Sequence, residues 1–140
     1  MAKQDKNKKA PEKEADESRP RPVDKSPIYN TARQLNASLV KAVAQMDKRY
    51  RYQTGSQLLH LSLTLSMVIT RTYRAYGNIP EQLNRARQIG DTCDMLVSML
   101  QAAYDCRVIW RAHFVEAINF CVSIQKQAAG WVNSIAQSAK

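Results

Sequence analysis

The sequence predicts an all-α protein, an antiparallel up-down four-helix bundle that follows a charged N-terminal tail. Three observations carry that prediction. Apolar residues recur at three- and four-residue spacings in four successive stretches, helix breakers crowd one end of the chain, and no two stretches read as partnered strands. Four of the five prolines, Pro11, Pro20, Pro22 and Pro27, fall in the first 27 positions, and glycine occurs only four times in 140 residues. A chain of this length has the size of one domain and buries most of its apolar surface around one core.

Up to position 26 the residues are mostly Lys, Arg, Glu, Asp, Pro, Ser and Ala, which bury too little apolar area to offset the entropy of ordering. The chain therefore divides into a disordered polyampholyte tail, 1–26, and a bundle, 27–140. Eight cations nearly cancel six carboxylates in the tail, so the charge excess belongs to the bundle.

Ser26 before Pro27 marks a helix start: Ser caps a free N–H, and Pro lacks the donor that the first turn would leave unpaired. Ile28, Ala32, Leu35, Leu39, Ala42 and Met46 then form one stripe, taking the first helix to about Asp47. The second segment is ambiguous locally. Leu59, Leu61, Leu63, Leu65 and Met67 alternate with polar residues as a half-buried strand does, yet Leu58, Leu61, Leu65, Val68, Thr72 and Tyr76 form a helical stripe. A lone strand leaves its backbone groups unpaired, so helix is the reading, with Thr54 and Gln57 as a capping box and Gly77 past the C-terminal end. Asn78 and Pro80 open a third helix with the stripe Leu83, Ala86, Gly90, Cys93, Val97, Leu100 and Tyr104, widened by Ile89, Leu96 and Ala103. A fourth stripe holds Phe114, Ile118, Cys121, Ala128, Val132 and Ile135. No Gly or Pro separates these last two, but a compact domain requires a turn near Arg107.

The net charge of +9 and pI near 9.7 point to an anionic partner. The charge is unevenly spread. Between positions 28 and 87, nine cations (Arg33, Lys41, Lys48, Arg49, Arg51, Arg71, Arg74, Arg85 and Arg87) stand against Asp47 and Glu81, whereas from position 88 onward four cations meet four carboxylates. Arginine predominates, and its planar fork matches phosphate oxygens. Lys48, Arg49, Tyr50, Arg51 and Tyr52 interleave cations with rings at a helix-helix turn, a composition for phosphate contact and base stacking; the tyrosines alternatively cover the bundle's end. The candidate nucleic-acid-binding residues are Arg71, Arg74, Arg85 and Arg87 around the second turn, then Lys48, Arg49 and Arg51.

Catalytic chemistry is not legible. A di-metal bundle needs inward Glu residues and Glu-x-x-His pairs, and neither Glu81 nor Glu116 has His three residues later. His60 and His113 are isolated, and no phosphate loop, nucleophile elbow or carboxylate pair is present. Cys93, Cys106 and Cys121 lack CxxC spacing and read as reduced structural thiols. The expectation is a non-enzymatic protein without metal or cofactor. No apolar run approaches the roughly 20 residues of a bilayer span and no signal peptide is read, so a cytoplasmic location is expected.

Three stretches resemble the accessory variability determinant (Avd) proteins of diversity-generating retroelements, over positions 27 to about 134. Positions 46–55, a basic-aromatic turn with Arg51 and Gly55 entering a Leu-rich helix, resemble that family's first connection. Positions 96–105 resemble the end of its third helix, and 124–134, with Gly130 and Trp131, its C-terminal Gly-Trp signature. Gln101 stands where the family commonly has Arg, and Ala129 where it commonly has a second Gly. The resemblance implies a homopentameric barrel with a basic exterior that binds the retroelement's reverse transcriptase and template RNA, with DNA as a further ligand, and supports mutagenic cDNA synthesis without chemistry of its own. The family is similar in fold to four-helix proteins encoded in ribosomal-RNA intervening sequences. A general RNA-binding bundle of that type, or a protein-interaction module that engages an acidic partner, is therefore the alternative. Trp131 reads as a core or interface aromatic beside a Gly that permits close helix approach.

Overall fold

In a computed structural model, which describes residues 23–139, the chain is helical, with no strand among the described residues. Four long helices, α1 (Pro27–Ala44), α2 (Ser56–Arg74), α3 (Ile79–Asp105) and α4 (Arg111–Ser138), form a ring in which α1 packs on α2, α2 on α3, α3 on α4 and α4 on α1. Cross-helix pairs show that α4 runs in the opposite direction to both α1 and α3. Thr31 and Ser38 of α1 meet Gln127 and Glu116 of α4, and Asp94 and Tyr104 of α3 meet Gln125 and Phe114 of α4.

The stripes become the core because residues three and four apart share a helix face. The five stripe residues within α1 are buried, as is Met46 just past its end, together with Leu58, Leu65, Val68 and Thr72 from α2 and Ala86, Ile89, Cys93, Leu96, Leu100 and Ala103 from α3. Ala117 and Ile124 join the α4 stripe as fully buried residues. Thr72 keeps its hydroxyl satisfied by donating to the Val68 carbonyl, and Gln82 donates to the Thr72 carbonyl, tying α2 to α3 beside their connection.

Local chemistry explains the ends. Ser26 accepts from the Tyr29 amide and Pro27 occupies the first turn, as read from sequence. Asn78 accepts from the Glu81 amide at the start of α3, and Gly77 takes φ +94°, in the left-handed region. The third connection turns at Arg107, which has φ +62°; Val108 and Ile109 follow it into the core.

Several expectations are corrected. The first helix ends at Ala44 rather than Asp47, because Asp47 begins the next rod by accepting from the Arg49 amide. A helical turn, Lys48–Tyr50, passes through a π-turn, Arg51–Gly55, into α2. Thr54 and Gln57 therefore form no capping box: they lie inside a continuous helical path whose amides are already paired. Tyr76, read as core, is 73% exposed because α2 stops two residues earlier. The tail boundary also moves: Val23–Lys25 form a 3-10 turn, Val23 packs on the core and Ser26 is buried. The remainder of the tail reading, residues 1–22, lies outside the described residues.

Gly55 carries a constraint that periodicity did not reveal. A Cβ there would lie 2.6 Å from Val43 Cγ1, so the π-turn presses on the end of α1 only because position 55 has no side chain. By contrast a Cβ at Gly130 would meet nothing within 4 Å. Trp131 packs on Tyr73, with ring centroids 4.6 Å apart, and against the core, in keeping with the core alternative of the sequence reading, while Gly130 makes no close approach within the chain.

Candidate nucleic-acid interface

The seven candidate cations fall into two groups separated by the length of α2, 19 residues or about 28 Å at roughly 1.5 Å per residue. Arg71 and Arg74 project from the last turn of α2, where cations interact favourably with the partial negative charge of the helix end. Arg85 approaches them from the second turn of α3. With Ala75, Tyr76, Asn78 and Glu81 these three arginines line an open groove of about 400 Å³ between α2 and α3. Arg71 and Arg74 are exposed and form no ion pair among the described residues. Arg85 is held by Glu81 at 2.7 Å, one helical turn earlier, a contact legible as an i, i+4 pair. Three guanidiniums thus face one carboxylate. Arg87 is exposed but does not line the groove, since two residues along a helix turn a side chain about 200° around the axis.

At the opposite end, Lys48, Arg49 and Arg51 have different fates. Lys48 is exposed and makes no ion pair among the described residues. Arg49 pairs with Asp47 at 3.3 Å, with its guanidinium 5.3 Å from the centre of the Tyr50 ring. Hydrogen bonds from the Arg49 amide, then from its guanidinium, hold the Asp47 carboxyl below its ordinary pKa, and Asp47 raises that of Arg49. Arg51 donates to the carbonyls of Ala44 and Met46, at 3.4 and 3.2 Å, and so terminates α1. Tyr52 is 76% exposed and so does not cover the bundle's end as one sequence reading had it, whereas Tyr50 is 38% exposed and lies beside the Arg49 guanidinium.

No family model, curated protein or solved structure matches this chain.

Sequence reasoning missed two parts of the α2–α3 face. Tyr76 continues the core stripe of α2 in sequence, yet it stands beside the arginines as an exposed ring. Further along the same pair of helices, Leu61, Met95 and Met99 with Ser56, Gln57 and His60 line an apolar groove, and Met95 is 59% exposed. Leu61 falls on the core stripe read from sequence while Met95 and Met99 fall outside the stripe of α3, so periodicity alone does not bring them together.

Cys93 and Cys121 are buried, and burial pushes both thiols up to about 12; Cys106 is exposed beside the third connection. Among the described residues no group of three His, Cys, Asp or Glu side chains could hold a metal ion, and no helix is long and apolar enough to cross a membrane.

Proposed function

We propose that this protein is a cytoplasmic, non-catalytic, nucleic-acid-binding accessory subunit of a diversity-generating retroelement, assembling as a homopentamer with the reverse transcriptase and template RNA, and with DNA as a second nucleic-acid ligand. The observation that carries the binding reading is the convergence of Arg71, Arg74 and Arg85 on one open groove beside the exposed Tyr76 ring. Guanidinium forks suit phosphate oxygens, and an exposed ring at the same edge offers a base a stacking surface. Arg87 and Lys48 add exposed cations outside the groove. Arg49 and Arg51 contribute less, because Asp47 and the carbonyls of Ala44 and Met46 already engage them. The retroelement role is supported by the resemblance over positions 27–134.

Co-expression with a reverse transcriptase and template repeat from a diversity-generating retroelement tests the assignment. The full chain should co-purify with both and support cDNA synthesis, and Arg71→Ala/Arg74→Ala should reduce RNA recovery while the chain stays folded. Undiminished cDNA synthesis without the chain would overturn the accessory role. A protein-interaction module is the second reading, and the Leu61, Met95 and Met99 groove favours it, since flexible methionines adapt to apolar partners. Its signature would be retention of the polymerase by the arginine variant.

A further inference from the structure

The cationic groove opens at the end of the bundle from which the N-terminal residues enter it. Contacts around that end establish the level. Gln127 of α4 donates to Thr31, in the first turns of α1, at 3.1 Å. One turn further along α4, Trp131 lies on Tyr73, the residue before Arg74. The start of α1 and the end of α2 are thus neighbours, and Val23, packed on the core, fixes the point from which earlier residues extend.

Residues 12–17 read Glu, Lys, Glu, Ala, Asp, Glu, four carboxylates against one cation, the densest acidic run in the chain. Glu17 precedes Val23 by six residues and Glu12 by eleven, so at about 3.3 Å per extended residue they reach roughly 20 and 36 Å from that anchor. Packed helix axes lie about 8–10 Å apart, so crossing the end of α2 to the α2–α3 groove requires on the order of 20 Å. The reach suffices, and the signs are complementary.

We propose that the acidic run Glu12, Glu14, Asp16 and Glu17 docks on Arg71, Arg74 and Arg85 of its own chain and competes with polyanions for that groove. Docking rests on reach and charge alone; its consequence for RNA rests on the function proposed above. A short tether confers a millimolar effective concentration, which sustains contacts too weak to hold a free peptide. Exposed ion pairs are individually weak and screened by salt, so a polyphosphate displaces the run and the competition fades as ionic strength rises. Weak, nonspecific polyanions are excluded more effectively than a ligand that also engages other surfaces.

The test uses the full chain with Glu12→Gln, Glu14→Gln, Asp16→Asn and Glu17→Gln together, and a fluorescent single-stranded RNA of about 20 nucleotides. At low salt the neutralised chain should bind about fivefold more tightly than the parent, with the gain lost at high salt and in an Arg71→Ala/Arg74→Ala background. Independently of RNA, a nitroxide on Ser18→Cys in a Cys106→Ser chain should broaden amide signals of residues 71–78, and the four neutral substitutions should relieve that broadening. Absence of broadening at those residues would overturn docking. Broadening with equal RNA affinity in both chains would overturn the competition. If neither chain binds RNA, the proposed function fails while the spectroscopic result still decides whether the run docks.

Discussion

Alanine placed at two glycines should have opposite effects on stability. Both Gly55 and Gly130 lie in helical segments, where Gly→Ala contributes about 1 kcal/mol of stability through reduced unfolded-state entropy. At Gly130 the new methyl meets nothing within 4 Å, so that gain is realised and the midpoint of thermal unfolding rises by a few degrees, about 3–5 °C for a domain of this size. At Gly55 the methyl would lie 2.6 Å from Val43 Cγ1. Val43 is buried and β-branched, with little rotamer freedom in a helix, so relief requires backbone movement. Overpacking of this kind costs about 1–3 kcal/mol, which exceeds the propensity gain and leaves Gly55→Ala destabilising by about 1 kcal/mol. Val43→Ala removes the obstructing methyl groups, and in that background Gly55→Ala should become stabilising, a coupling of about 2 kcal/mol. Urea unfolding of the four-member cycle measures it. Equal effects of Gly55→Ala in both backgrounds, or a stabilised Gly55→Ala single variant, would refute the close approach of the π-turn to α1.

Native protein should expose one fast-reacting thiol, Cys106, to a maleimide or aromatic disulfide, and three after denaturation, because Cys93 and Cys121 are buried with thiols raised to about 12. Since those folded values lie above the ordinary 9.0, their contribution to stability is complete below pH 9 and declines between about pH 9 and 12; Cys93→Ala/Cys121→Ala should flatten that part of the pH profile. Arg51→Ala should lower stability by about 0.5–1 kcal/mol through loss of its donors to Ala44 and Met46, while Lys48→Ala leaves it nearly unchanged, as denaturant midpoints at constant slope will show.

The four helices were legible because 3.6-residue periodicity survives in every segment and the punctuation at Ser26, Gly77 and Asn78 is chemical. Arg107 was foreseeable only from compactness, for a non-glycine residue in the left-handed region leaves no compositional mark. The Thr54 and Gln57 motif misled because Asp47 had already begun the rod upstream, and motif spacing does not reveal whether amides are free. Tyr76 misled because stripe continuation was extended past a helix end. Within the candidate site, counting charges found Arg71, Arg74 and Arg85, but their convergence depends on how α2 and α3 pack. The same count placed Arg51 with them, whereas its guanidinium serves the end of α1.

Salt dependence of RNA binding by the full chain addresses the groove most directly. Single-stranded RNA gives a log-log slope of about −0.7 per neutralised phosphate, so Arg71→Ala/Arg74→Ala should weaken binding and make the slope about 1.4 shallower than that of the parent chain. An unchanged affinity and slope in that variant, with the helical bundle intact by circular dichroism, would contradict a phosphate-binding role for these arginines.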